Sequence, residues 1–582
     1  MTSTAGGAEA GSSTTTGERD IQRWPTVQMV VGGGAVAAVV VAIDTYFSAQ
    51  AGYLAQPPNY EGVGYMQFAR TAFFLLRNMH PDAALHEINS IAPLWTLLQT
   101  LHYLVLGDGT WQVFAVRFWP VALLLVLVGW IVRTRATPAA AGAAMALTAV
   151  SPMVSAGVRA ASWELITGRT DYAESWGLDD LRPDFLAGVL VIWSVAALAE
   201  GSRSPRRSTF IVSAAFAAAA VVTKPSTAPF ALSAWGLALA LMWVWRPRME
   251  SVRRVALAAA VLLVLLAPWG IVGRGFSDTL TRLREGTVTY GATYFPKVDL
   301  VESVTYYLVR LPNQLGQLEF VLAAAAGLAL IVVLVRRSRF AGLDRPEVMY
   351  AALVAFLYLA LTVPSAKNPN LGEWISMSVW LFLLAGVSRV AVLRWPSRIN
   401  GSSRAVLAGV GVYVLLVYVA GVLALGSWPQ PERQSNAQLT AATNGIADEL
   451  SRRIQPFDCF TYAPGPGWPA SIEYQLMDSQ GRAPGNNPID VSPSTTIDAY
   501  IQEARLCRAV VVYRDDIKQV ARAFYCPPVR QPYLQALSNW VRTPGSGYRL
   551  DRTWTLSNLP PYGPHPLGSY AGVSLTVELY LR

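Results

Sequence analysis

Charged side chains in this sequence recur where apolar segments end, and those junctions are where chemistry could be done. The clearest is Pro57-Pro58-Asn59-Tyr60-Glu61-Gly62-Val63-Gly64-Tyr65-Met66, which sets Glu61 in a Gly-rich turn between an apolar run and an amphipathic helix. A carboxylate held there, just outside a bilayer and ahead of an amphipathic helix, is well placed to act on a membrane-bound substrate. The plain alternative is a solvated loop glutamate. Arg117 precedes Phe118-Trp119-Pro120, Arg159 follows Ser151-Pro152-Met153, Arg182 and Asp184 flank Pro183, and Lys224 lies in Val222-Thr223-Lys224-Pro225. Each has a structural reading too: Arg182 and Asp184 cap a helix and pair, Lys224 snorkels to headgroups, and Arg117 anchors a helix at the interface.

Three histidines, His80, His86 and His102, lie near Glu87 in one segment. Their spacing is not the HExxH of a zinc enzyme, so surface or substrate-contacting roles are favoured over a metal. Tyr290, Tyr294, Tyr306 and Tyr307 mix with Arg274, Arg282, Arg284, Lys297 and Arg310. Aromatics beside cations suit sugar and phosphate recognition, and they also suit a membrane-interface belt.

The elements that must position these residues follow from composition. Only 14% of the 582 residues are charged and mean hydropathy is +0.34, against about 25% charged in a soluble globular chain. Long segments must therefore face lipid. About eleven approach the roughly 20 apolar residues a bilayer requires: 27–47, 115–132, 139–157, 184–200, 208–222, 229–245, 255–273, 317–335, 347–363, 374–393 and 405–426. Residues 1–26 form a cytoplasmic tail whose first twenty or so are Gly, Ser, Thr and Ala without periodicity, as in disordered segments. The apolar run after them is too long for a signal-peptide core and reads as a retained helix.

Basic residues give the orientation. Arg133/Arg135, Arg203/Arg206/Arg207, Arg246/Arg248/Arg253/Arg254, Arg336/Arg337/Arg339/Arg345 and Arg394/Arg398/Arg404 fall in alternate loops, which the positive-inside rule places in the cytoplasm with the N-terminus. The longer loops 48–114, 158–183 and 274–316 then face outward. The formal charge of +9 is split among these short clusters instead of lining one face, which argues against nucleic-acid binding. No GxxxxGK[ST] stretch suggests an ATP-driven pump.

Residues 427–582 turn rich in Pro, Gly, Asn and Gln. Helix-like 437–454 and 517–525 alternate with strand-like 459–462, 508–513 and 574–581, predicting a small extracytoplasmic α/β domain. All three cysteines, Cys459, Cys507 and Cys526, lie in it. An oxidising compartment favours one disulfide: Cys507–Cys526 at one end of a strand–helix unit is preferred, with Cys459–Cys507 close behind.

The order of the junction motifs resembles the bacterial relatives of protein O-mannosyltransferases and aminoarabinose transferases, within the GT-C class of polytopic glycosyltransferases. The matching features are Glu61/Tyr65, Pro93/Leu94, Gly107/Arg117, Ser151-Pro152, Arg182/Asp184 and Thr223-Lys224, over residues 27–245. One departure is Tyr60-Glu61 where the family commonly has Asp-Glu, leaving Glu61 or Asp44 to serve as base. Another is the longer second outer loop, with an insertion over 163–180.

The resemblance implies a mainly α, polytopic GT-C-like domain over 27–426, in the cytoplasmic membrane, carrying the α/β domain outside. It implies an enzyme that moves a sugar from a polyprenyl-phosphate donor to an envelope glycan, lipid or protein. Glu61 would be the base, with Asp184 supporting it or binding the acceptor or a metal. Lys224, Arg159, Arg182 and Arg117 would hold the donor phosphate, and Tyr65, His80, His86, Tyr290 and Tyr294 would contact substrate. A divalent cation is compatible with these carboxylates but not demanded by them. The competing readings are a lipid-linked glycan polymerase or ligase, and a transporter or flippase. Few ionisable residues sit deep within the apolar segments, as transport would require.

Overall fold

The computed structural model describes residues 24–50, 61–89, 91–155, 158, 181–202, 205–245, 249–272, 298–336, 345–364, 371–394, 399–427, 430–455, 458–462, 472, 474–477, 485–486, 495–524, 526, 530–559 and 571–582. All eleven apolar segments are helical: α1 (Val27–Gln50), α6 (Phe118–Arg133), α7 (Pro138–Ala149), α8 (Asp184–Gly201), α9 (Arg207–Thr223), α10 (Ala228–Trp245), α11 (Met249–Val272), α14 (Gln317–Arg336), α15 (Arg345–Thr362), α16 (Gly372–Arg394) and α17 (Ile399–Ser427). Among the described residues, six helices are long and apolar enough to cross a membrane, and three further apolar helices are shorter. The chain is thus a multi-pass membrane protein. Helix α7 stops before the expected residue 157: its N-cap Thr137 accepts from Ala140 N at 3.2 Å with Pro138 at N1, and the chain leaves the helix at Ser151-Pro152, where proline resists continuation.

Between α1 and α6 lie α2 (Glu61–Arg77), α3 (Pro81–Ile88), α4 (Pro93–Leu106) and α5 (Thr110–Phe114). Pro81 and Pro93 occupy first-turn positions, where the missing N–H costs nothing. Gly107 ends α4 at φ 91°, a backbone conformation most side chains resist. The short helices α12 (Leu300–Thr305) and α13 (Leu311–Leu315) precede α14.

Buried residues of α1, α6, α8, α9, α10, α15 and α16 form one apolar core. Trp130 stacks on Trp24 (5.9 Å) and Trp193 (5.4 Å), and Trp193 on Phe216 (5.0 Å), so one aromatic column ties α6, α8 and α9. Small residues let backbones approach, as membrane helix packing requires: a Cβ at Gly188 would lie 2.6 Å from Trp374 Cδ1.

Buried ion pairs segregate by helix end. Arg135, after α6, donates to Glu200 Oε1 and Glu347 Oε1 at 2.8 Å each, and Tyr350 Oη donates to Glu200 Oε1 at 2.8 Å. This network gathers the C-terminal ends of α6 and α8 with the N-terminal end of α15. Asp44–Arg117 and Asp184–Lys224 gather the opposite ends of α1, α6, α8 and α9. The two sets of buried pairs thus lie at opposite ends of α6 and α8.

After α17 come α18 (Gln430–Arg453), β1 (Cys459–Tyr462), β2 (Gly485–Asn486), α19 (Ile497–Ala504), β3 (Ala509–Tyr513), α20 (Ile517–Ala523), α21 (Gln531–Val541), β4 (Arg549–Leu559) and β5 (Val573–Leu581). The sheet order is β2-β1-β3-β5-β4; β1 pairs parallel with β2 and β3, and β5 antiparallel with β3 and β4. Strand β3 is buried throughout, which explains its unbroken apolar run. Two apolar cores cover the sheet.

The disulfide joins Cys459 to Cys507, with Cα atoms 4.6 Å apart, and Cys526 is buried and free. This corrects the expected Cys507–Cys526 pair. Cys459 opens β1 and Cys507 enters β3; the parallel pairing, with Arg508 N donating to Cys459 O at 2.9 Å, brings those two together. Cys526 instead packs in the core beside α19 and α21.

The C-terminal segment also grips α2 and α4. Arg70 of α2 donates to Tyr474 O and to Asp108 Oδ2 (3.0 Å), with its guanidinium 4.5 Å from the Tyr474 ring centroid. The Tyr103 and Tyr474 hydroxyls lie 3.0 Å apart, and burial pushes both phenols above their ordinary range.

Candidate active site

Asp184 occupies the first turn of α8 and is fully buried. Its Oδ2 accepts from Lys224 Nζ at 2.5 Å. Lys224 is the C-cap of α9, in extended backbone (φ −145°, ψ 91°) ahead of Pro225, so the chain turns the lysine back across the helix ends. Two residues separated by the length of α8 and α9 thus meet because those helices are antiparallel neighbours. Asp184 Oδ1 has no hydrogen-bond partner among the described residues. Leaving a buried acceptor unmet costs roughly 1–3 kcal/mol, so this oxygen is the polar atom at the site best suited to an incoming hydroxyl or amine.

The turn ahead of Asp184 is anchored from both sides. Leu181, at φ 52°, has a backbone that β-carbon-bearing residues avoid, and its carbonyl accepts from Trp95 Nε1 at 2.7 Å. The Asp184 carbonyl accepts from Trp374 Nε1 at 2.9 Å. Arg182 lies between the two anchors and is partly buried. Glu61 opens α2, and its side chain lies outside the described residues. One turn on, Tyr65 is 8% exposed; α2 and α4 are joined by Thr100 Oγ1 donating to Ala69 O at 3.3 Å. Since α4 also supplies Trp95, the helix that begins at Glu61 packs against the helix that anchors the Asp184 turn.

Arg117 goes elsewhere. It is 1% exposed, and it donates from Nη1 to Asp44 Oδ2 and from Nη2 to Thr45 Oγ1, both at 2.8 Å. Asp44 is itself 1% exposed, and its Oδ1 accepts from Val158 N at 3.3 Å. The geometry argues that Arg117 docks α6 on α1 instead of holding phosphate, and that Asp44 is committed to it instead of substituting as base. His80 and His86 are exposed around α3. His102 Nε2 accepts from Trp119 Nε1 at 2.9 Å, and burial pushes its imidazole below the usual range. The Glu87 carboxyl is raised by burial, partly offset by His86. Arg159, Tyr290, Tyr294 and the 163–180 insertion lie outside the described residues. Among the described residues, no three of His, Cys, Asp or Glu converge as a metal ion would need.

Sequence reasoning singled out Asp184 and Lys224 but not their contact, and it missed both tryptophan anchors. Nothing local in Leu94-Trp95 or Glu373-Trp374 distinguishes an indole that anchors a carbonyl from one that fills a core.

No protein-family model and no curated protein matches the chain. Solved structures do. ArnT from Cupriavidus metallidurans in the apo state is 16% identical with a TM-score of 0.52, covering 85% of this chain and 95% of that one. The same protein bound to undecaprenyl phosphate is 15% identical with a TM-score of 0.53, covering 95% and 98%. The fold is thus similar to that of ArnT over nearly the whole length of both chains.

Proposed function

We propose that this chain is a membrane glycosyltransferase that takes a sugar from a polyprenyl-phosphate donor and passes it to an acceptor hydroxyl of an envelope glycan, lipid or protein. The reaction takes place on the outer face of the cytoplasmic membrane. The observation that carries the reading is the buried Asp184–Lys224 pair with one carboxylate oxygen open, set in an ArnT-like fold at the helix ends nearest α2. Undecaprenyl phosphate bound to the similar ArnT structure supports a polyprenyl-phosphate ligand here.

In the reaction the acceptor oxygen bonds to the anomeric carbon while the bond from that carbon to the phosphate oxygen breaks. Glu61 takes the acceptor proton, a contribution of typically 10²–10⁴-fold. Polyprenyl phosphate leaves with the bonding electrons. Lys224, Arg182 and Arg159 offset the charge growing on it; an arginine can do so with two hydrogen bonds, whereas a lysine acts as a point charge. Asp184 holds Lys224 in place, and its open oxygen receives a sugar or acceptor hydroxyl.

The test is transfer by purified protein from a labelled polyprenyl-phosphate sugar to cell-envelope acceptors. Wild-type protein should label an acceptor. Glu61→Gln should lower the rate by about 10² or more, and Lys224→Met should lower it comparably. Full-rate transfer by Glu61→Gln would remove Glu61 from its role.

A further inference from the structure

We infer that Trp95 and Trp374 are positioning residues: their two buried indole N–H groups fix the Leu181–Asp184 turn from opposite sides and so aim Arg182 and Asp184 at the lipid-linked substrate. The inference rests on the function proposed above.

The two rings come from helices far apart in sequence, α4 and α16, and converge on one four-residue turn. Trp95 is 0% exposed and Trp374 1%. An indole has a single donor and no acceptor; here the donors go to Leu181 O at 2.7 Å and Asp184 O at 2.9 Å. The two carbonyls bracket Arg182-Pro183. Pro183 has φ −70°, fixed by its ring, and Arg182 is restricted because it precedes proline. With both ends held and the middle stiff, the turn has little freedom left.

Two details show that the arrangement is specific. Leu181 sits at φ 52°, a conformation that persists only where surrounding contacts impose it, and the Trp95 bond is such a contact. On the other side, Gly188 leaves the space Trp374 occupies: a Cβ there would come within 2.6 Å of Cδ1 and 2.7 Å of Nε1. Trp374 therefore reaches the Asp184 carbonyl only because the next turn of α8 carries no side chain. Catalysis by fixed charges depends on their placement, and a shift of about 1 Å can cost on the order of 10²-fold in rate.

The experiment replaces Trp95 or Trp374 by β-(3-benzothienyl)alanine, an isostere with sulfur in place of the N–H, so that ring volume is kept and only the donor is lost. Full-length protein is purified, and kcat and KM for the polyprenyl-phosphate sugar are measured per folded molecule, with the half-exposed Trp243 replaced likewise as control. The expected result is a fall in kcat of about ten-fold at each of the two positions, with KM within about two-fold and no change for Trp243. A structural role alone would lower the yield of folded protein and leave kcat per folded molecule unchanged, and that result overturns the inference. So does a loss confined to one of the two positions. If wild-type protein transfers no sugar, the proposed function itself fails; if wild type is active and both isosteres run at full rate, this inference alone fails.

Discussion

Arg117 and Asp44 are each 1% exposed and joined at 2.8 Å, so removing either leaves the other a buried charge that has lost its ion-pair partner at that distance. Arg117→Leu or Asp44→Leu should each destabilise by about 3–5 kcal/mol, whereas the double change should be nearly neutral. Thermal unfolding of the detergent-purified protein measures this, and the double variant should retain sugar transfer if Arg117 docks helices. Loss of transfer in a well-folded double variant would return Arg117 to the phosphate site. Asp184 and Lys224 differ in kind, because Lys224 keeps 13% of its side chain exposed and Oδ1 of the buried Asp184 has no hydrogen-bond partner among the described residues. That unmet oxygen, more than the ion pair itself, separates a site from a strut. Both charges in each pair were visible in the sequence as charges at segment ends. Which cation belongs to which carboxylate depends on helix adjacency, and a single sequence does not encode adjacency locally.

Among elements, the sheet of the C-terminal domain shows what its sequence does and does not reveal. Strands β1, β3 and β5 were legible from alternation and apolar runs. Strand β4 was not, because Arg549–Leu559 is largely exposed and lacks a regular buried face. The cysteine pairing is hidden for a related reason: strand–helix proximity is local in sequence, whereas the β1–β3 pairing that joins Cys459 to Cys507 is not. Mass spectrometry of unreduced protein should find Cys459 linked to Cys507. Removing that bond should cost about 4 kcal/mol on a loop-closure estimate for the 48-residue separation. Burial pushes the Cys526 thiol up to about 11, with Arg530 pulling it down slightly; alkylation at pH 8 should therefore be slow until the domain unfolds. On β5, burial alone would raise the Glu578 carboxyl, but hydrogen bonds from Arg514 (2.7 Å) and Arg542 outweigh it and hold the group below its ordinary value of 4.5. A carboxylate with a lowered folded-state value stabilises fully above its unfolded value and loses that contribution as pH falls through the folded one. Amide exchange of Val573–Leu581 in the whole protein should accelerate below about pH 4.5, beyond the intrinsic effect, and Glu578→Gln should abolish that pH dependence.

Over the whole molecule, the positions of the apolar helices were legible because bilayer thickness acts on composition, which any sequence displays. The docking of the tail was not: Arg70, Asp108, Tyr103 and Tyr474 come from distant stretches with no common pattern. The resulting molecule spans a membrane many times, and it gathers a carboxylate–lysine pair and an anchored arginine turn at one set of helix ends, with α2 packed on the helix that anchors that turn. Among the described residues, the buried ion pairs of the membrane helices lie at helix ends, the layout that the proposed chemistry on a lipid-linked sugar calls for. The most direct measurement uses proteoliposomes holding the purified chain, a labelled polyprenyl-phosphate sugar and an envelope acceptor, with products identified by mass spectrometry. Transfer predicts a new glycosidic bond to the acceptor and one polyprenyl phosphate released for each sugar moved. Donor that crosses the bilayer with its sugar–phosphate bond intact, and no glycosylated acceptor, would contradict it.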